Sequence, residues 1–377
     1  MMVGGYLTKK WFSMAVIIAL MRLFLACQSF AADEIKVGIM VPITGPEATY
    51  GKDMENAILL AVSEINGKGG ILGKNVITTT SDEACNPQQA SSAASELVTE
   101  DVVAVVGGYC SPATAPTLKI YGDAGVPIVI PVADSSKLIG ANPGNGFLIN
   151  STGIDQAITA VNLFREKKIK KLAIIHQGDG YSADLAALTE KKWKEMGHEV
   201  VTIDVAKKGE KDHFALLSRL KSKSPDAVFW TAYYADGALV IKQLRQGGFS
   251  KLIAVGDGSN SPKLIEIAGK AAEGVFCFSK PMIEYLPAAK AFVESYKKKF
   301  NQEPGPYSAL SYDGMNLLAD AIKRAGTVDK AAILKALKET KEFKGIAGPI
   351  SFKPDNTLAR SNFVVLIAKG TNWALYK

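Results

Sequence analysis

The chain has 377 residues, four cysteines and a net charge of +7 at neutral pH. Three of the positive charges, on Lys9, Lys10 and Arg22, lie in the N-terminal segment, which leaves +4 for the remainder. The basic residues of that remainder are mixed with acids, and they form no cluster interleaved with aromatic residues. We therefore expect no nucleic-acid partner.

Residues 1–31 are predicted to be a secretory signal peptide. The apolar segment 11–21 follows two lysines, and Ser29 and Ala31 supply the small residues that a signal peptidase prefers at alternate positions. Cleavage near Ala31 would export the protein and leave 346 of the 377 residues, enough for two domains. Lipid attachment at Cys27 is a weaker alternative. No other run is apolar and long enough to span a bilayer.

From residue 35 onward, strand and helix patterns alternate. The first series has predicted strands at 35–41, 76–82, 102–106 and 126–130, and helices at 52–66, 87–99 and from Ser111 onward. The second series has strands at 171–176, 199–205, 227–230, 252–255 and 275–279, and helices at 155–167, 181–196, 213–221, 235–246 and 261–268. Helices at 288–300, 308–325 and 328–339 and strands at 348–352 and 363–368 complete the chain.

Two series of strand–helix units with a break near residue 150 predict an α/β fold with two doubly wound parallel-sheet lobes. The break at 151–153 is too short for a flexible linker, so we expect the lobes to be close together and hinged. In such folds ligands bind beyond the carboxyl ends of the strands.

The segment 107–114 is the first candidate binding loop, since it joins a buried strand to a helix. Gly107 and Gly108 allow a sharp turn, Ser111 can cap the helix, and Pro112 suits its first position. Free N–H groups at the helix start would then face the crevice and bind an anion. An ordinary capped turn explains the same residues equally well. A second candidate loop is 131–136.

The cysteines beyond the signal peptide are Cys85, Cys110 and Cys277. Cys85 and Cys110 follow neighbouring strands, which would place both at one edge of the sheet, so we predict a disulfide between them. Cys277 lies in an apolar run and is predicted to be a buried free thiol. Three metal-binding thiols are an alternative, but no CxxC or histidine spacing supports it.

Catalytic signatures are largely missing from the sequence. His176, His198 and His213 lie in separate strand–helix units without metal spacing, and the glycines at 67–70 and 256–258 match no nucleotide-binding motif. We expect neither an enzyme nor a bound cofactor. Small, hydroxyl, acidic and aromatic residues at the strand ends suit a small polar ligand.

Several motifs resemble those of the periplasmic branched-chain amino-acid binding proteins of ABC transporters, which are type I periplasmic binding proteins. The resemblance runs from about residue 35 to the C-terminus. Its motifs are Gly45-Pro46 with Tyr50-Gly51, Glu64-Ile65-Asn66 with Lys68-Gly69-Gly70-Ile71, Asp82-Glu83-Ala84-Cys85-Asn86-Pro87, Gly209-Glu210-Lys211-Asp212, and Ile267-Ala268-Gly269 with Ala272-Glu273-Gly274.

The resemblance implies a periplasmic, monomeric protein that passes an amino acid to a membrane ABC permease. It implies a hinge of three chain crossings, with lobe 1 formed by residues 33–152 and 283–358 and lobe 2 by 153–282 and 359–377. It also implies a disulfide at the positions of Cys85 and Cys110.

The family's ligand contacts carry over to named residues of this chain. The ligand carboxylate would meet Ser111, and the ammonium would meet the Val132 carbonyl, Asp134 and Asp257. The other residues implied to surround the ligand are Tyr50, Tyr109, Cys110, Ala133, Tyr181, Tyr233 and Tyr307. Asp134 replaces a threonine and Asp257 a glutamate of the leucine-binding members, so two carboxylates face one ammonium unless a cation, a water or a raised pKa compensates.

The resemblance leaves other ligands and roles open. A binding protein for amides, urea or aromatic acids is the main alternative, and it would not need Asp257. A sensor with the same fold would signal instead of transporting. An enzyme ranks third.

Overall fold

The computed structural model describes residues 34–280 and 282–376. The predicted signal peptide and the alternative lipidation at Cys27 lie outside the described residues. Among the residues described, no helix combines the length and the apolar character that crossing a membrane requires.

The described chain alternates strands and helices for most of its length. Its strands are β1 Ile35–Val41, β2 Val76–Asp82, β3 Ala104–Gly107, β4 Ile128–Ile130, β5 Gly146–Leu148, β6 Lys171–His176, β7 Glu199–Val205, β8 Ala227–Trp230, β9 Leu252–Val255, β10 Phe276–Ser279, β11 Phe343–Gly345, β12 Gly348–Ile350, β13 Val364–Lys369 and β14 Asn372–Leu375. Its helices are α1 Ala48–Gly67, α2 Pro87–Thr99, α3 Ser111–Asp123, α4 Lys137–Ala141, α5 Gly153–Glu166, α6 Ser182–Glu195, α7 Phe214–Ser222, α8 Tyr234–Gln246, α9 Pro262–Ala268, α10 Lys290–Phe300, α11 Ser308–Ala325 and α12 Lys330–Lys338.

Two parallel sheets organise the molecule. The first has the strand order β2-β1-β3-β4-β5, and all of its pairings are parallel. The second has the order β14-β13-β10-β9-β8-β6-β7, in which β13 and β14 are antiparallel additions at one edge. We call the part of the chain around the first sheet lobe 1 and the part around the second sheet lobe 2. The predicted α/β architecture with two parallel-sheet lobes is confirmed.

The chain passes between the lobes three times: after β5, after β10 and before β13. The first and third passages are joined by hydrogen bonds, because the Ser151 hydroxyl donates to Asn362 Oδ1 (2.7 Å) and the Asn362 N–H donates to Ser151 Oγ (2.8 Å). Helix α11 packs on the first sheet at Gly314, where an added Cβ would lie 3.2 Å from the Val106 side chain. This close approach covers one face of the sheet.

The largest error in a predicted helix start is at α1, and one predicted capping residue is wrong by one position. Helix α1 begins at Ala48 instead of residue 52, so Gly51 lies inside it. A glycine is needed at this position, because a Cβ there would come within 1.7 Å of the Pro42 carbonyl oxygen. Helix α3 is capped by Cys110 and not by Ser111, since the Cys110 carbonyl accepts the N–H of Thr114 at 2.9 Å. Strands β11 and β14 and helix α4 were not predicted.

The predicted disulfide is present. Cys85 and Cys110 are bonded, with their Cα atoms 5.2 Å apart, and Cys277 is a buried free thiol. The bond commits two of the three sulfurs, which removes the alternative of three metal-binding thiols.

Candidate functional site

A narrow cavity lies between the carboxyl edges of the two sheets. Its lining residues come from both lobes: Tyr109, Ser111, Val132, Asp134, Tyr181, Tyr233, Asp257, Gly258 and Tyr307. Apart from Gly258, these are residues that the sequence predicted for the site.

Three predicted site residues lie just behind the cavity instead of lining it. The ring of Tyr50 stacks on Tyr109, with centroids 5.7 Å apart. The sulfur of Cys110 is bonded to Cys85. The N–H of Ala133 donates to the Gly108 carbonyl at 3.0 Å, which ties the two candidate loops together.

Ser111 is arranged to donate a hydrogen bond into the cavity. Its Oγ accepts the N–H groups of Asp134 (3.2 Å) and Ser135 (3.1 Å). A hydroxyl has one proton as well as two lone pairs, so these two bonds leave the Ser111 proton for an external acceptor. Because Ser111 is the first residue of α3, the positive end of that helix favours an anionic acceptor there.

The lobe 2 side of the cavity has an acidic residue, Asp257, which is paired with a lysine that was not predicted. Asp257 Oδ2 forms an ion pair with the Lys280 ammonium, and Asp257 Oδ1 accepts the Ser279 hydroxyl at 2.6 Å. Both members of the ion pair are buried, with 3% of Asp257 and 4% of Lys280 exposed. Both carboxylate oxygens of Asp257 therefore have donors within the protein.

Asp134 is the second acid at the cavity, and it comes from lobe 1. It is buried, and its Oδ2 has no hydrogen-bond partner among the described residues. Burial, followed by the negative charge of Asp257, holds the pKa of Asp134 well above its usual range. A cation that entered the cavity would favour the ionised form of this carboxyl.

The remaining polar groups at the cavity differ in the number of hydrogen-bond partners that they have within the protein. The Val132 carbonyl accepts Asn150 Nδ2 at 2.7 Å and retains a second lone pair. The Tyr181 hydroxyl accepts the Gly258 N–H at 2.9 Å. The Tyr233 hydroxyl is buried and has no partner within the described chain. The Val132 carbonyl and the Tyr233 hydroxyl can therefore each bond to a ligand.

Hydrogen bonds between the lobes hold the cavity closed. Asp184 of lobe 2 accepts the Ser135 hydroxyl (2.8 Å) and the Ser136 N–H (2.7 Å) of lobe 1. The Tyr307 hydroxyl donates to the Asp257 carbonyl oxygen at 3.0 Å. The structure is thus a closed form in which each lobe supplies one wall.

Two buried glutamates support the loop that carries Tyr109. The Tyr109 hydroxyl donates to Glu47 Oε2 at 3.0 Å, and burial raises the pKa of Glu47 to about 7. Glu83 Oε1 accepts the N–H groups of Tyr109 (3.2 Å) and Cys110 (3.1 Å), and burial raises the pKa of Glu83 to about 8. These bonds fix the backbone just before Ser111.

Comparison with known families shows which family has this sequence and fold. A family model described as periplasmic binding protein matches residues 34–372, nearly the whole described chain. The chain belongs to the periplasmic binding protein family. The resemblance predicted from the sequence motifs is confirmed.

Relatives of this periplasmic binding protein match about nine tenths of its length. The leucine-, isoleucine-, valine-, threonine-, and alanine-binding protein of Pseudomonas aeruginosa is 30% identical over 344 residues, covering 90% of this chain and 91% of that protein. A solved leucine-binding protein from Thermotoga maritima has a TM-score of 0.85 at 30% identity and covers 91% of this chain and 98% of its own. A branched-chain amino acid transporter substrate-binding protein from Streptococcus pneumoniae, solved with isoleucine, has a TM-score of 0.83 at 30% identity. That match covers 90% of this chain and 98% of the Streptococcus pneumoniae chain.

Sequence reasoning about this binding protein missed Lys280, Asp184 and Gly258. Lys280 does have one recognisable signal, because it directly follows the buried strand β10, much as Asp257 lies two residues after β9. Asp184 and Gly258 lie near predicted site residues in the sequence, but nothing in the sequence indicates which of their neighbours face the other lobe.

Proposed function

We propose that this protein is an exported solute-binding protein that captures an apolar amino acid between its lobes and delivers it to a membrane ABC permease. The observation that carries the proposal is the polarity of the cavity. The cavity is lined by a hydroxyl at a helix N-terminus, by one carboxyl group from each lobe and by four tyrosines. This is complementary to a molecule with a carboxylate, an ammonium and a short apolar side chain.

In this proposal the ligand carboxylate accepts the hydroxyl and the N–H of Ser111, because the neighbouring N–H groups at the start of α3 are bonded to Glu83 or to the Cys110 carbonyl. The ammonium binds on the acidic side, next to Asp134 and the Val132 carbonyl. The rings of Tyr109, Tyr181 and Tyr233 cover the ligand's apolar part.

The relatives support the choice of ligand. The Pseudomonas aeruginosa protein is named for binding leucine, isoleucine, valine, threonine and alanine, and the Streptococcus pneumoniae structure contains isoleucine. We propose on this basis a branched-chain or other small apolar amino acid. We further propose that the protein acts as a periplasmic monomer after cleavage near Ala31, and that it binds its ligand without chemical change.

A thermal-shift screen of the protein without residues 1–31 against all common amino acids tests the proposal. Ligand at 100 times its dissociation constant adds about 2.7 kcal/mol of stability, which is readily detected. We expect the largest shifts with leucine, isoleucine, valine or alanine. Absence of a shift with every amino acid would refute the proposal.

Capture of an amide or an aromatic acid is a second candidate function, and the ion pair in the cavity wall favours it. Lys280 neutralises Asp257, and the raised pKa of Asp134 favours its uncharged form, so the wall can face a ligand that has no ammonium. Adding acetamide, urea and benzoate to the same screen separates the two functions, since stabilisation by these alone would support the second.

A further inference from the structure

Lys280 lies where two passages between the lobes meet. It directly follows β10, and its ammonium stands over the rings of Tyr307 (5.0 Å to the centroid) and Phe363 (5.6 Å). Phe363 belongs to the third passage, just before β13. These aromatic faces stabilise a cation, and Asp257 supplies its counter-charge.

Both carboxylate oxygens of Asp257 are bonded to neighbouring side chains of the protein. Asn260 Nδ2 donates to Ser279 Oγ at 2.8 Å, so the Ser279 proton is directed to Asp257 Oδ1. Oδ2 is held by Lys280. Lys280 is not among the residues that line the cavity, so it lies behind Asp257 as seen from the ligand.

Asp134 has the opposite character. It lines the cavity, its Oδ2 has no partner among the described residues, and the nearby charges are those of Asp257, Lys280 and Asp184. Asp184 is itself committed to Ser135 and Ser136. Of the two acids that line the cavity, Asp134 is thus the one with an oxygen left for a ligand.

We propose that Lys280 is a positioning residue that sets specificity: it acts as a built-in counter-ion for Asp257, and Asp134 alone supplies the negative charge that pairs with the ligand ammonium. This inference rests on the proposed capture of an amino acid. It resolves the surplus of negative charge that two carboxylates around one ammonium would create. It also means that a ligand with a second cationic group finds no free anion in the wall.

The test is the amine preference, defined as the ratio of the dissociation constants of 4-methylpentanoate and leucine measured by calorimetry. The two probes share a carbon skeleton, and only leucine has the amine. We expect Asp134→Asn to lower the preference by about tenfold or more, because it removes the anion that pairs with the ammonium. The double variant Lys280→Met/Asp257→Asn removes a neutral pair, so its preference should stay within about threefold of wild type, whatever its absolute affinity.

Single changes at Lys280 test the counter-ion role directly. Lys280→Met leaves Asp257 as a second unpaired anion and should raise the preference at pH 8 by about tenfold or more, whereas Lys280→Arg should restore the wild-type value. If Lys280→Met does not fold, the double variant still decides, because both of its replacements are uncharged.

The outcomes separate this inference from the proposed function. Loss of the preference in the double variant, together with its retention in Asp134→Asn, would make Asp257 the ammonium partner and overturn the inference alone. An unchanged preference in Lys280→Met would overturn it as well. Failure of the wild type to bind any amino acid would overturn the proposed function, and the inference with it.

Discussion

Replacement of Glu83 by glutamine is expected to stabilise the protein at alkaline pH relative to wild type. Glu83 is completely buried, and its Oε1 accepts the N–H groups of Tyr109 and Cys110. Burial raises its pKa from 4.5 to about 8. A glutamine oxygen can accept the same two hydrogen bonds without carrying a charge.

The sign and size of the effect follow from proton linkage. Between the unfolded pKa of 4.5 and the folded pKa of about 8, the folded protein keeps the Glu83 proton and the unfolded chain has lost it. Folding takes up a proton in this window, so wild-type stability falls as pH rises, by about 1.4 kcal/mol per pH unit. The whole window amounts to about 5 kcal/mol, fully lost above pH ~8. The glutamine variant lacks this contribution.

The assay is urea denaturation at pH 5, 7 and 8.5, comparing wild type with Glu83→Gln. The exposed residue Glu294 on α10 offers a matched control, Glu294→Gln. Any constant difference between Glu83→Gln and wild type reflects packing, and the part that grows with pH reports the buried carboxyl. Parallel pH profiles for Glu83→Gln and wild type would refute the reasoning.

Three further predictions concern the binding loop, the disulfide and closure. Ser111→Ala should weaken amino-acid binding by about 1.5–3 kcal/mol, because one hydrogen bond to a carboxylate is lost; unchanged affinity in calorimetry would leave the loop an ordinary helix start. Thiol counting on the unfolded, unreduced protein without residues 1–31 should find only Cys277 free, and reduction of Cys85–Cys110 should cost roughly 2–4 kcal/mol of stability. Asp184→Ala removes the bonds to lobe 1 and should increase the radius of gyration in small-angle scattering; identical scattering would contradict a closing role.

The sequence was sufficient to predict the architecture, because short hydrophobic patterns along the chain indicate each strand and helix without knowledge of the tertiary contacts. Continuous apolar strands such as β3 and β4 indicate a parallel sheet covered on both faces. The start of α1 was misplaced because Gly51 resembles a helix breaker, whereas its absent side chain permits contact with Pro42. That contact joins two elements, and no local pattern reveals it.

Many of the residues that line the cavity could also be named from the sequence. Ser111 and the loop 131–136 were found because they follow strands, and the carboxyl ends of parallel strands meet at one edge, whereas the role of Asp134 was implied by the family resemblance. Lys280 also follows a strand, but lysines are mostly exposed, and its pairing with Asp257 depends on how β9 and β10 lie side by side. Two acids around one ammonium were expected to require compensation, and Lys280 is the partner that provides it.

The order in which the chain visits the two lobes bears on its synthesis and secretion. Helix α11 covers the first sheet, yet it follows β5 only after the entire parallel part of lobe 2. A ribosome therefore releases the strands of lobe 1 long before the helix that buries them. Contacts between distant parts of a chain form slowly, since loop-closure entropy is lost before any contact compensates. Completion of the lobe 1 fold therefore awaits α11, which lies near the end of the chain.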